Sequence, residues 1–424
     1  MGNDTARADG PLILVGYAKV WMTELSKFAP DGSLIFVEEP DVARKRSVHA
    51  ATEGVAVMRG VVEWEFHLDG SADCFYHQHR ELRPSAVIPV VEYAVPFAAR
   101  LAERYGIVGA GYGAARLLRN KRLLRYVTAA AGVPNPASVE VTGPDEVKAF
   151  MAEVGGPIVL KPANRQAAVG TKIIHEPAEI ERAWIECTDQ DEGVFVPDRP
   201  MPLEMLAERF VRGEEFSVEM MISGGRPVFG APTRKFLFPG PRPIEQGHLH
   251  PADIDPELSR RLVADTARVL AAVGMDSGFV HCEWMVEDGV PHLIECAGRM
   301  AGDGIIELVI HAWQFDVVGQ YVAMMQGKPL AEIPAEPTRY AAAWLSRAPV
   351  GVVESVDGVA EAQAIPGVHT LIAPSVGEDV HELRSSLDRP ALVTAEAATP
   401  AGALAAAQQA IDLIAVKIRP ALQG

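Results

Sequence analysis

From His281 to Arg299 the chain reads His-Cys-Glu-Trp-Met-Val, then Glu287-Asp288-Gly289, then Val-Pro-His-Leu-Ile-Glu-Cys-Ala-Gly-Arg. Asp-Gly between two apolar runs specifies a tight β-hairpin, and a hairpin dictates which residues face one another. A three-residue loop Glu287-Asp288-Gly289 puts the glycine in the left-handed position of a bulged turn and sets Val286 against Val290. In that register Glu283 faces Leu293 and Glu295 faces His281. The two carboxylates then share one side of the sheet as diagonal neighbours, roughly 7 Å apart at the backbone, and can share a cation. A two-residue loop sends them to opposite faces, because a slip of one residue reverses every side chain. The same residues also suit a solvent-facing polar stripe.

A chain of 424 residues has room for two or three domains. Its formal charge of -17, without a sustained Lys/Arg stripe, argues against nucleic acid as a partner. Cys74, Cys187, Cys282 and Cys296 show no paired spacing and read as reduced thiols. The polar start, Met1 to Gly10, and the short apolar run after it lack a leader pattern, and no apolar stretch is long enough to span a membrane. The expectation is a cytoplasmic protein with no membrane partner.

Pro11 to Tyr17 is a continuous apolar run ending at Gly16, the pattern of a buried parallel strand, and a second strand follows at Leu34 to Glu38. With helices expected over 93–105 and 114–131, the first 120 residues resemble a doubly wound α/β domain. Gly109-Ala-Gly-Tyr-Gly113 does not follow a strand with dinucleotide-binding spacing. Strand signals at 138–141, 158–161 and 172–175 mark a compact lobe that ends at the proline-rich joint Pro197 to Pro202. Pro329, Pro334 and Pro337 suggest a further boundary, and the end of the chain, 401–418, reads as helix.

Ile158 to Ile174 reads as a strand, a small-residue loop and a strand, with Lys161 where the first strand stops. Ala167, Ala168 and Gly170 leave backbone N–H groups open to phosphate oxygens, and Lys161 adds a point charge. An ordinary surface hairpin is the alternative; a Walker A ending is missing. Extended residues Glu208-Arg209-Phe210-Val211 can offer main-chain hydrogen bonds and a carboxylate to a purine edge, with Glu215 for ribose hydroxyls, although singly these glutamates suit a solvated face. Arg234-Lys235 forms a local basic pair for a phosphate or carboxylate.

Taken in order, Asn120-Lys121, Lys161 with its loop, Glu208 to Val211 with Glu215, and Glu283 with Glu295-x-x-x-Arg299 resemble the ATP-grasp enzymes across roughly residues 90–325. The resemblance implies an α/β ATP-grasp fold in three parts. These are a pre-ATP-grasp α/β domain (1–120), an ATP-grasp domain (121–330) with a mobile lid lobe at about 134–196, and a small β-rich C-terminal domain (331–424). It implies that Lys121 and Lys161 contact the phosphates of ATP, that Glu208 meets adenine, and that Arg209, Phe210 and Val211 add contacts through the main chain. Glu215 would hold the ribose, and Glu283 and Glu295 would bridge two Mg2+ ions, for which Mn2+ can substitute. Asn120 stands where aspartate is usual, and Ala297 where asparagine often completes the metal site.

Within that superfamily the chain looks most like the L-amino acid ligases, on Glu245-Gln-Gly-His248 and Arg299-Met-Ala-Gly302-Asp303. That likeness implies Glu245 beside a substrate ammonium, His248 orienting a carboxyl or an amine, and Arg299 clamping carboxylate and acyl phosphate. Lys235 would meet the transferred phosphate or a substrate carboxylate. Gly302 and Asp303 would line the pocket, though Asp303 equally suits a cap on a helix from Ile305 to Trp313. The implied activity is ATP-dependent joining of an amino acid or related carboxylic acid to an amine through an acyl phosphate, releasing ADP and phosphate. A homodimer is compatible with it. A purine-biosynthesis or biotin-carboxylase-like ATP-grasp ligase, and a nucleotide-binding protein without turnover, remain open alternatives.

Overall fold

The computed structural model describes residues 10–189 and 192–420, so the reading of Met1 to Asp9 lies outside the described residues. Leu12–Val15 and Leu34–Glu38 are buried at every position and form the middle of a parallel four-stranded sheet, between Met58–Glu63 and Ala86–Pro89. Burial on both faces explains why these strands are uninterrupted apolar runs. The helix Val95–Tyr105 lies after them, closed by Gly106 in the left-handed conformation.

The helix expected over 114–131 is two helices, Tyr112–Leu118 and Lys121–Ala130. Asn120 breaks it: its backbone is extended, and its side-chain oxygen accepts hydrogen bonds from the backbone N–H groups of Arg122 (3.0 Å) and Leu123 (3.2 Å). Asparagine and aspartate cap equally well. The cap sets Lys121 at the first turn of the second helix, and the Asn120 amide also donates to Glu204 at 2.8 Å.

The lobe expected to act as a lid is an antiparallel sheet in the order Ser138–Val141, Met205–Arg209, Ile158–Pro162, Lys172–Ile174. Helices Pro144–Val154 and Ile180–Thr188 pack on it through Val147, Phe150, Ile180 and Ala183. The sheet takes in Met205–Arg209, so the lobe reaches past residue 196.

The largest sheet has eight strands in the order Val290–Ala297, Gly278–Glu287, Glu214–Ser223, Arg226–Leu237, Glu245–His250, Tyr340–Leu345, Leu392–Ala397, Val368–Ile372. It crosses the proline-marked boundary, because Glu245–His250 pairs with Tyr340–Leu345. A separate three-stranded sheet joins Gly351–Asp357, Asp379–Val380 and Ala415–Arg419. The last segment is therefore not all helix: the helix ends at Leu413, and Ala-Val-Lys-Ile-Arg alternates apolar and polar residues with the period of a strand. Among the described residues no helix is long and apolar enough to cross a membrane.

The hairpin differs from its sequence reading in register. Its loop is the two-residue Asp288-Gly289, both at positive φ (49° and 76°), with Glu287 opposite Val290. Lower down, Trp284 pairs with Leu293 but Glu283 pairs with Glu295, leaving Ile294 as a bulge. The expected three-residue loop is thus wrong, and Glu283 faces Glu295 rather than Leu293. The bulge reverses the alternation a second time and returns both glutamates to one face.

Candidate active site

A cavity of about 500 Å³ lies between the lid lobe, the hairpin end of the large sheet and a C-terminal loop. At its lid end Lys161 Nζ lies 2.7 Å from Glu208 Oε2, and Arg125 reaches the same carboxylate at 2.9 Å. All three side chains are buried. Burial works to raise the Glu208 pKa, but Arg125 and Lys161 outweigh it and hold the carboxyl below its usual value. Burial also pushes the Lys161 ammonium down. The carboxylate expected on a purine edge is thus taken up by two cations, while Arg209, Phe210 and Val211 run along the cavity wall. Arg209 is itself paired with Glu287 at 2.9 Å.

Lys121 Nζ donates to the carbonyl of Arg165 (2.8 Å) and stands 3.0 Å from Glu295 Oε2. Ala167 and Ala168 line the cavity with φ of 54° and 56°, a left-handed pair that non-glycine residues rarely form and that marks a constrained loop. Gly170 is not part of the lining. At φ 67° it packs so closely that a Cβ would stand 2.5 Å from the Cys187 carbonyl.

In the centre, Lys235 Nζ lies 2.8 Å from Glu215, 3.1 Å from Glu245 and 2.5 Å from Glu283. Burial opposes the Lys235 charge, but the three carboxylates hold its pKa well above the usual lysine value. Burial alone would raise Glu283; Lys235 and His281 pull it well below. Glu215 stays above its usual value because burial dominates there. Arg234 pairs with Glu214 on the exposed side, so the expected basic pair is split between two faces of the strand. His281 sits between Glu219 (2.7 Å) and Glu283 (3.1 Å); burial lowers its pKa, but these carboxylates raise it to about 10.

Carboxylate oxygens of Glu215, Glu245 and Glu283 fall within 4.8 Å of one another. Glu295 lies across the ladder from Glu283 and outside that trio, on Lys121. Lys235 already engages that trio, whereas Glu283 and Glu295, opposite each other on the ladder, offer oxygen donors of the kind magnesium takes, with phosphate oxygens and water filling its sphere. Ala297 adds no donor.

At the far end, Glu245 Oε2 accepts from Ser386 Oγ at 2.6 Å, and Arg389 donates to the Glu245 carbonyl (3.0 Å) and to Asp303 Oδ1 (2.7 Å). Asp303 does not cap the following helix: the cap residue is Gly304, and no side chain bonds the helix N–H groups. Asp303, Gly302 and His248 line the cavity instead. The Arg299 guanidinium is 3.2 Å from the buried Glu92 of the N-terminal domain. Sequence reading missed Arg125, Glu92, Ser386 and Arg389. Arg389 follows the short turn Ser386–Asp388, and nothing in its local spacing marks it.

Residues 154–307 match the family described as ATP-grasp domain, and residues 344–419 the family described as L-amino acid ligase C-terminal domain 2. An uncharacterized protein, y4rH, of Sinorhizobium fredii is 30% identical over 302 residues, covering 71% of this chain and 61% of that protein. The alanine–anticapsin ligase of Bacillus subtilis is 26% identical over 236 residues, 52% of this chain and 49% of the ligase. The chain thus spans between 49% and 61% of the length of these relatives. The crystal structure of an L-amino acid ligase from Bacillus licheniformis shares the fold with a TM-score of 0.79 at 19% identity, covering 98% of this chain and 100% of that one. Phosphoribosylglycinamide synthetase from Anaerococcus prevotii follows at 0.70 and 12% identity, covering 97% and 100%.

Proposed function

The chain carries an ATP-grasp domain joined to the second C-terminal domain of L-amino acid ligases, and from that premise we propose an ATP-dependent ligase that couples an amino acid, or a related carboxylic acid, to an amine. One observation carries the reading. A single cavity is lined at one end by Lys121, Lys161 and the Ala167-Ala168 loop, and at the other by Glu245, Arg299 and Asp303. The first set suits a polyphosphate and the second a zwitterion.

In this reading a substrate carboxylate oxygen attacks the γ-phosphorus of ATP, and the bond to ADP breaks. The amine nitrogen then attacks the acyl carbon and phosphate leaves. Lys161 and Lys121 hold phosphate oxygens, and Arg299, anchored by Glu92, presents its fork to the carboxylate and then to the acyl phosphate. Magnesium held by Glu283 and Glu295 would neutralise charge on the phosphates. The lid lobe excludes water from the acyl phosphate, which water would otherwise hydrolyse. Glu245 faces the substrate ammonium, displacing part of its present pairing with Lys235.

The test is ATP-dependent phosphate release over pairs of amino acids and small carboxylic acids, with products identified by mass. An amide product supports the reading. Dependence on bicarbonate assigns a carboxyphosphate reaction instead, and ATP binding without phosphate release for any pair overturns the ligase.

A further inference from the structure

We propose that His248 is the base that takes a proton from the attacking amine, and that Asp303 and Arg389 position it. The proposal rests on the ligase reading above and adds the proton acceptor that the reaction needs.

Two histidines stand two residues apart on the strand Glu245–His250, both fully buried. His250 is satisfied: Nδ1 is 2.9 Å from Thr233 Oγ1, and Nε2 accepts from the Trp313 indole at 2.9 Å. Burial drives its pKa down to about 4, and it is a neutral structural residue. His248 is the opposite case. Its ring forms part of the cavity wall, and neither ring nitrogen completes a hydrogen bond. Buried polar atoms without partners are costly and call for an explanation, and here the wall position makes substrate the missing partner. His281, on the same cavity, has both ring nitrogens engaged, Nδ1 with Glu219 at 2.7 Å and Nε2 with Glu283 at 3.1 Å.

His248 Nε2 stands 3.7 Å from Asp303 Oδ2, longer than a hydrogen bond but directed at it. Catalytic contacts are often this loose before substrate is bound. Asp303 is not free to move: Arg389 Nη2 donates to its other oxygen at 2.7 Å, while Arg389 Nε donates to the Ser386 carbonyl (2.8 Å) and Nη1 to the Glu245 carbonyl (3.0 Å). The charged groups that face His248 are Asp303, with Arg389 behind it, and Lys235, its ladder partner, which is tied to Glu245; the strand on the other side presents only Ala343. The C-terminal domain thereby supplies the residue that aims the base. The same loop touches the lid, where the Ser386 N–H donates to the Ala167 carbonyl at 3.0 Å.

Asp303 stays ionised and faces the Nε2–H of His248, so that Nδ1 carries the free lone pair and takes one proton from the incoming ammonium. The freed lone pair attacks the acyl carbon. The C–N bond forms, and the C–O bond to phosphate breaks with its electron pair on phosphate. The second excess proton of the nitrogen leaves with phosphate, and His248 returns its own to solvent.

The experiment compares two acceptors with one acid and ATP: an amino acid, whose ammonium must lose a proton, and hydroxylamine, which is neutral near neutral pH. In His248→Gln, dipeptide formation should fall by about 10²–10⁴, with hydroxamate formation persisting at the wild-type order of magnitude. The residual dipeptide rate should rise about tenfold per pH unit toward the acceptor's own pKa. Asp303→Asn and Arg389→Gln should lower the same step and shift its acidic limb, and Arg389→Lys should recover part of it; these variants carry the test where His248→Gln does not fold. Loss of both products together, or of neither, in a folded His248 variant overturns the base. A wild-type protein that forms no ATP-dependent hydroxamate from any acid fails one step earlier, at the ligase reading.

Discussion

At the end of the cavity proposed for phosphate, Glu208 pairs with both Lys161 and Arg125 within 2.9 Å, inside one lobe and its neighbouring helix. At the end proposed for substrate, Arg299, Glu245 and Asp303 draw partners from other segments as well, in Glu92 of the N-terminal domain and in Ser386 and Arg389 of the C-terminal loop. Under the ligase function proposed above, the difference separates two tasks. A phosphate chain is the same in every ATP, so its cradle can be self-sufficient and buried. The end that meets variable substrates is assembled from loops of several domains, which change without disturbing that cradle.

Variants that break this contrast rank by size. Lys161→Met should lower ADP formation by about 10²–10³ while the protein stays folded, because Glu208 retains Arg125; ADP release and thermal unfolding measured together check both halves. Glu208→Ala should destabilise the protein by about 3–5 kcal/mol, since it leaves Lys161 and Arg125 buried without their counter-charge; denaturant unfolding reads it. The corresponding cut at the substrate end, Glu92→Gln, should be milder. It removes the carboxylate charge 3.2 Å from the Arg299 guanidinium, loosening it, and should raise the KM for the acid with little change in unfolding.

The smallest effect lies at His67, whose ring stands 3.8 Å from the buried Glu39 carboxylate and faces the guanidiniums of Arg199, Arg119 and Arg165. Burial first, and then those guanidiniums, lower its pKa from 6.5 to about 3. The unfolded chain therefore binds a proton below pH 6.5 that the folded protein refuses, so this group contributes nothing above that value and its destabilisation grows as pH falls toward 3. His67→Gln should recover about 1–2 kcal/mol at pH 5 relative to its effect at pH 7.5, read as the pH dependence of denaturant midpoints. An unchanged acid limb would place that sensitivity elsewhere.

The strands Leu12–Val15 and Leu34–Glu38 were legible because a strand buried on both faces must be apolar throughout. The Asp-Gly turn was legible for a similarly local reason, the positive φ both residues adopt. The pairing below that turn was not. The true loop is one residue shorter than expected, and the extra residue at Ile294 compensates for it. The Ile294 carbonyl is held by Arg125 at 2.7 Å, a contact across 169 positions of sequence that no turn rule contains. Asn120 shows the reverse case: read as a departure from an aspartate motif, it performs the capping that either residue performs.

What the sequence determined alone was the chemistry available and its local geometry: the hairpin turn, the small-residue loop after Lys161, and the order in which lysines and carboxylates appear. These follow from backbone sterics and side-chain period, which act over a few residues. Only the tertiary structure decided that Glu208 neutralises Lys161, that Lys235 gathers Glu215, Glu245 and Glu283, and that Arg389 reaches Asp303. Buried charges must be paired where the fold brings them together, and sheet order and domain packing set that place across tens to hundreds of residues.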